Sequence, residues 1–366
     1  MSPTQGTRYW ARFGRVLGLD EALEQGTLRL PGSKLLTGAW RLTMARALRR
    51  KLRWPTHLKV IAIGGATLGG SGKTPLAIAC AAELARLGAS PVLVGHAHRA
   101  APGFARVVAG GDPVERVGDE ALIAARAFEG LGARVVVGPT RQSAIDLGAR
   151  LSRVLVLDGV SQTAPAIASL ALLAVDAAEP WGFPGALPPR GNLRALRSDL
   201  IDVCDLVVPV GDEPDLASAE WCAMRGSREV APASLALCGA RLASGALVSL
   251  PALAEEPIGL IAALARPERV VRALARQGVN PRVVLRAPDH GPVSARLIGK
   301  AKKEAKASGI GLWLATAKCS VHVARALPRD AHKTAEDWLG APLATLEYSL
   351  VLSPPLIERL GRLAAP

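Results

Sequence analysis

One stretch constrains the fold more than any other: Leu58-Lys59-Val60-Ile61-Ala62-Ile63-Gly64-Gly65, then, after Ala66, Thr67-Leu68-Gly69-Gly70-Ser71-Gly72-Lys73-Thr74. The first part is short, β-branched and ended by glycines, as a fully buried strand is. The second is glycine-rich and hands over to a helical stretch, Pro75 to Leu87, closed by Gly88. Strand, glycine loop and helix in that order make a phosphate-binding loop. Gly69, Gly70 and Gly72 let backbone N–H groups turn towards phosphate oxygens, and the helix start adds its positive dipole end. Lys73 suits the β- and γ-phosphates of ATP, and the Thr74 hydroxyl suits Mg²⁺. Thr67 to Thr74 are therefore the candidate nucleotide contacts, although Thr67 stands where G-x-x-x-x-G-K-[ST] has its first glycine.

Further strand-like runs are Pro91 to Val94, Arg134 to Val137, Val154 to Leu157, Leu170 to Val175 and Leu206 to Val210. Helical patterns at Glu120 to Phe128 and Arg141 to Leu151 separate several of them. This alternation predicts an α/β fold, a doubly wound and mainly parallel sheet covered on both faces. Pro180 to Arg194, rich in Pro and Gly, is expected to be a functional loop without regular structure. The pattern weakens over 231–256, which reads as a joint, and a second, smaller α/β domain follows over 257–366. It opens at Ile258, with a helix near Pro267 to Gln277 and strands at Arg282 to Leu285 and Gly311 to Ala315. The nucleotide-binding domain then spans 56–230 and a basic amino-terminal segment 1–55.

The 366 residues are 49% hydrophobic and carry a net charge of +14, so disorder is excluded and an anionic partner is indicated. Seven basic residues and no acid lie between Lys34 and Trp54. On a helix, Leu36, Trp40, Met44, Leu48 and Leu52 form an apolar stripe, with Arg46, Arg49 and Arg53 opposite. That is the pattern of a helix lying in an anionic membrane interface, the alternative being a helix packed on its own domain with a solvated basic face. No apolar run approaches the roughly 20 residues of a bilayer span, and no signal-peptide core is present, which predicts a cytoplasmic, peripheral protein. Five single cysteines, without C-x-x-C, read as reduced thiols rather than a zinc site. There is no nucleic-acid-binding module and no aromatic stacking surface, so the charge does not point to nucleic acid.

Two strand-like runs end in acids, Asp158 and Asp176. Carboxylates at the carboxyl ends of parallel strands face the ligand crevice of such a sheet. One is suited to Mg²⁺ and the other to an acceptor's proton, and each alone could equally be a cap or turn acid.

These segments together resemble the tetraacyldisaccharide 4′-kinase family, the lipid A 4′-kinases, from about Trp40 to the carboxyl-terminal region. Thr67 to Pro75 is similar to that family's T-V-G-G-T-G-K-T-P, which accounts for Thr67. Val117-Gly118-Asp119-Glu120-Ala121 is similar to V-G-D-E-P, and Val135 to Gly138 with Arg141 to V-V-V-G-x-x-R. Asp176 and Gly182 to Arg194 resemble a strand-ending Asp and a G-x-G-x-x-L-P-A-G-P-L-R-E loop. Pro288-Asp289-His290 matches the start of P-D-H-H, and Thr316 with Lys318 two positions of T-E-K-D. The departures are Leu157-Asp158-Gly159-Val160-Ser161-Gln162 for D-D-G-F-Q-H, Gly95-His96-Ala97-His98-Arg99 for S-R-G-Y-G, Gly291 for a His, and Ala317 and Cys319 for acids.

The resemblance implies transfer of the ATP γ-phosphate to the 4′-hydroxyl of a tetraacyldisaccharide 1-phosphate, at the cytoplasmic face of the inner membrane. It implies Asp158 as the base, His290 from the second domain as its aid, and Lys73 on the phosphates. Thr74 and Asp176 are implied for Mg²⁺, and Arg99, Arg141 and Arg194 for the lipid disaccharide. The alternative is a divergent ATP-binding scaffold or ATPase that has lost the lipid kinase activity.

Overall fold

The computed structural model describes residues 33–48, 52–95, 97, 100–160, 168–182, 184–211, 219–225, 228–264, 267–287, 293–328 and 334–365. Branched, apolar residues put β1 (Lys59–Gly65) inside the first sheet. After it come β2 (Val92–Val94), β3 (Arg106–Val107), β4 (Arg134–Val137), β5 (Val154–Asp158), β6 (Leu170–Asp176), β7 (Leu206–Gly211) and β8 (Glu229–Val230). β1 lies parallel between β5 and β6, with Ile61 opposite Val156 on one side and Ile63 opposite Leu172 on the other. β2 and β4 continue the parallel sheet beyond β5, β3 runs antiparallel on β4, and β7 with β8 continues beyond β6. Every residue of β5 and β6 is buried, as unbroken apolar strands of a parallel sheet are. Because the main strands are parallel, Gly65, Val94, Asp158, Asp176 and Gly211 all end at one edge, where such sheets bind ligands.

The helix Lys73–Arg86 buries Leu76, Ala77, Cys80, Ala81, Ala82 and Leu84, mostly small side chains that let it lie close to neighbouring elements. A helix from the far end of the chain, Pro354–Ala364, packs against it, with Leu356 and Leu360 fully buried. Lys59 Nζ donates to the Ala365 carbonyl and fastens that helix to the start of β1.

The amino-terminal helix is Ser33–Leu48, and Trp40 and Met44 of its expected apolar stripe are used inward. Met44 is buried with Ala66, Val175, Trp181 and Leu193, and Trp40 packs against the same group. Leu52 lies beyond the helix and joins the core around Leu58 and Val60. The face left outward carries Leu35 and Leu42, at 83% and 64% exposure. Arg49 lies outside the described residues, and Arg53 follows the end of the helix.

The chain divides into two units, one reaching Ser234 and resuming over Leu350–Pro366, the other Leu235–Ser349. The second unit contains most of β9 (Ala233–Leu242), together with β10 (Leu247–Val248), β11 (Ile258–Ala262), β12 (Val283–Arg286), β13 (Leu312–Thr316) and most of β14 (Leu343–Leu352). β11 lies parallel between β12 and β13, β13 pairs parallel with β14, and β10 folds back antiparallel on β9. The boundary between the units, after Ser234, falls within the segment 231–256 read as a joint, and that segment is regular: it forms β9, β10 and the helix Leu250–Glu255. Its signal is weak because β9 is Ala- and Gly-rich and only partly buried. Residues 350–366 return to the first unit instead of closing the second.

Trp313 is the largest fully buried side chain, and its indole Nε1 donates to the Leu339 carbonyl at 3.1 Å. Gly259 faces it across the β11–β13 register, and a Cβ there would stand 2.2 Å from Trp313 Cζ3 and 2.4 Å from Cε3. Gly259→Ala is therefore expected to destabilise the second unit by about 1–3 kcal/mol through overpacking. Chemical denaturation checks this, and an unchanged midpoint would show that the ring moves aside at little cost.

Candidate active site

The loop after β1 folds back over the strand's own end. A Cβ on Gly65 would strike Ser71 Oγ at 2.2 Å and come within 3.3 Å of Lys73 Cδ, so bare backbone is required there. Gly72 begins the helix at φ 78°, and a Cβ would meet Val210 Cγ1 at 2.5 Å. Left-handed backbone and lack of room together exclude any other residue. The first turn of the helix holds no acid, so its positive end is left for an anion. Ser71 is buried, and its Oγ has no hydrogen-bond partner among the described residues.

Thr74 Oγ1 donates to Asp158 Oδ2 at 2.8 Å, tying the helix start to the end of β5. Asp158 is buried, and its Oδ1 has no partner among the described residues. Desolvation holds its carboxyl above the usual carboxylate range, opposed by Lys73, reinforced by Glu120 and opposed further by Thr74 and Arg141. Arg141 donates to the Val94 carbonyl at 3.2 Å and the Gly159 carbonyl at 3.4 Å. Burial lowers its guanidinium pKa, while Asp158 and Glu120 favour the charge. At Gly159, φ 77°, a Cβ would lie 3.4 Å from Arg141 Nη2 and 3.9 Å from Lys73 Cε, so both cations converge beside that turn. A hydroxyl and a carboxylate with an unpartnered oxygen, next to a phosphate loop, form a hard-oxygen set that fits Mg²⁺. Magnesium takes few protein ligands and completes its shell with water and phosphate oxygens, so the absence of a three-residue metal cluster among the described residues is consistent with it.

Lys73, Thr74, Asp158 and Arg141 thus come together. Asp176 ends β6, but its Oδ1 accepts from Ala178 N and Glu179 N, both at 2.8 Å. That is the turn-acid arrangement, which engages one of the two oxygens expected for Mg²⁺. Arg194, expected at the substrate, engages the loop itself: its Nη2 donates to the Thr67 and Leu68 carbonyls. Arg99 and His290 lie outside the described residues, as do His96 and His98. Asp119 and Glu120 carried no assigned role in the sequence reading. Gly118 at φ 87° precedes them, Asp119 Oδ1 accepts from Glu120 N at 2.9 Å, and Glu120 acts electrically on both Asp158 and Arg141. The signal was an acidic pair opening a helix directly after a glycine.

The family model described as tetraacyldisaccharide-1-P 4′-kinase matches residues 27–361. Among curated proteins, the tetraacyldisaccharide 4′-kinase of Anaeromyxobacter dehalogenans (strain 2CP-C) is 33% identical over 289 residues, 74% of each chain. That of Methylobacterium sp. (strain 4-46) is 32% identical over 289 residues, covering 76% of this chain and 81% of that one. LpxK from Aquifex aeolicus, solved in complex with ATP, shares the fold at a TM-score of 0.61 and 17% identity, over 92% of this chain and 98% of that one.

The desolvated carboxyl makes a signed prediction. A carboxyl whose folded-state pKa is raised lowers stability as pH rises through that pKa, and has no such effect below the ordinary range of about 3.9. Asp158→Asn should therefore raise the melting temperature of nucleotide-free protein at pH 8, by a gain that shrinks as the pH falls towards the ordinary carboxylate range. A loss of stability at pH 8, or a gain independent of pH, would count against this account of the site.

Proposed function

The chain belongs to the tetraacyldisaccharide 4′-kinase family and is a lipid A 4′-kinase, and we propose that its Thr67–Thr74 loop holds the triphosphate of ATP together with Mg²⁺. The observation that carries this reading is the 2.8 Å contact of Thr74 with Asp158, made directly beside the loop and Lys73. Thr74 Oγ1 and Asp158 would hold Mg²⁺, which when bound offsets charge on the β- and γ-phosphates. Lys73 neutralises the same oxygens and keeps them in line for attack. The 4′-hydroxyl oxygen bonds to the γ-phosphorus, the bond to the β–γ bridging oxygen breaks, and ADP leaves with that electron pair. The hydroxyl proton needs an acceptor. This reading keeps that role for Asp158, whose Oδ1 has no partner among the described residues, with His290 as its aid.

The phosphotransfer assay is direct: purified protein, labelled ATP and tetraacyldisaccharide 1-phosphate in detergent. Lys73→Ala should lower turnover by roughly a hundredfold or more while the fold persists, because the side chain points at phosphate and not into the core. His290→Ala should lower turnover and leave ATP affinity unchanged. Near wild-type turnover in Lys73→Ala would sink the loop assignment, and wild-type protein that binds ATP without phosphorylating the lipid would favour the scaffold.

We also propose peripheral attachment to the anionic inner-membrane surface. Among the described residues, no helix is long and apolar enough to cross a membrane. What supports attachment is the outward face of Ser33–Leu48, where Leu35 and Leu42 stand exposed beside Lys34 and Arg41, which are exposed too. Leu35→Glu with Leu42→Glu should abolish co-sedimentation with phosphatidylglycerol-rich vesicles, and retention of binding would place the contact elsewhere.

A further inference from the structure

The first half of the nucleotide loop is not self-supporting. Leu193 pairs antiparallel with Thr67, Arg194 N donates to the Ala66 carbonyl at 2.8 Å, and Leu68 N donates to the Asn192 carbonyl at 2.9 Å. Arg194 Nη2 then donates to the Thr67 carbonyl at 3.1 Å and the Leu68 carbonyl at 3.2 Å. Thr67 Oγ1 takes the next carbonyl, that of Gly69, at 2.7 Å. Four successive carbonyls, from Ala66 to Gly69, are thus held by donors.

This matters to a loop that binds phosphate. A planar trans peptide points its C=O and the following N–H to opposite sides. Fixing the Leu68 and Gly69 carbonyls therefore directs the N–H groups of Gly69 and Gly70 the other way. A carbonyl turned inward would instead set an oxygen dipole against phosphate oxygens. Arg194 supplies a charged donor to two of these carbonyls, and such bonds are about twice as strong as neutral ones.

The arginine is itself anchored. Trp40, on the amino-terminal helix, donates its indole Nε1 to the Arg194 carbonyl at 2.9 Å across 154 residues. Trp40 packs with Ala66, Trp181 and Leu193, the residues that flank the loop and its strap. The helix Ser33–Leu48 is thereby connected to the nucleotide loop through one residue.

We propose that Arg194 is a positioning residue for nucleotide binding rather than a substrate contact, and that Trp40 makes the amino-terminal helix part of the same support. The proposal rests on the nucleotide-loop reading above. Arg194→Ala should weaken ATP binding by roughly tenfold or more, because two carbonyls lose a charged donor. The KM for the lipid disaccharide should stay within about twofold of wild type, since uniform substrate binding is untouched. Arg194→Lys, which keeps the charge and a donor but not the planar fork, should recover part of the ATP affinity. Trp40→Phe keeps the ring and removes only the N–H, and should weaken ATP binding in the same direction by a smaller factor.

The measurements are ATP titration calorimetry and steady-state kinetics in both substrates, with Lys73→Ala alongside. A raised lipid KM with unchanged ATP affinity in Arg194→Ala would overturn the proposal in favour of substrate contact. Should Arg194→Ala fail to fold, Trp40→Phe decides, and unaltered ATP affinity in that folded variant overturns the coupling. Wild-type protein that binds no ATP would instead remove the nucleotide reading itself. Wild-type binding matched by Arg194→Ala would remove only this inference.

Discussion

Thr74 and Asp158 are 84 residues apart in sequence and share one hydrogen bond. That bond exists because β1 and β5 are parallel neighbours with Ile63 opposite Asp158, so the strand that launches the loop ends level with the carboxylate. The consequences spread outward from it. Glycine suits position 159 because the turn after β5 takes a φ of 77°, and position 72 because Val210 closes the other flank. Moving the register by one residue would send Asp158 to the opposite face and leave Thr74 without an acceptor.

The electrostatic state of the site follows from the same contact. Two cations, Lys73 and Arg141, act on two carboxylates, the buried Asp158 and the half-buried Glu120. Before any nucleotide arrives the cluster is close to balanced, with its least comfortable member the buried Asp158. On the proposed reading a divalent cation would relieve that member, and the triphosphate would meet the lysine and the helix end. Charge placed in advance in this way is what phosphoryl transfer draws on.

Much of this was legible in the sequence where one interaction dominates. The buried parallel strands declare themselves because both faces are apolar: Arg134–Val137 has the expected bounds, and Val154–Asp158 differs by one residue. The glycine loop was legible because close approach to backbone leaves a compositional trace. What stayed hidden depends on partners remote in sequence. Nothing local says that the Arg194 guanidinium folds back on Thr67 and Leu68, or that Trp40 and Met44 turn inward while Leu35 and Leu42 face out. An amphipathic stripe fixes that a helix has two faces, not which one its own domain takes. β9 was missed for a different reason, since small, half-exposed residues give neither alternation nor a continuous apolar run.

The helix Pro354–Ala364 ties the order of synthesis to the order of assembly. It packs on the nucleotide-loop helix and is fastened to Lys59, yet it is made only after the whole of the second unit. A nascent chain whose β1, loop and β5 have left the ribosome still lacks the layer that covers its loop helix. The first unit therefore cannot mature as an independent amino-terminal domain, ahead of its successor, in the way that sequential domains do. Its final packing waits for Leu356 and Leu360, so the helix after the glycine loop gains its cover only once the second unit has been made.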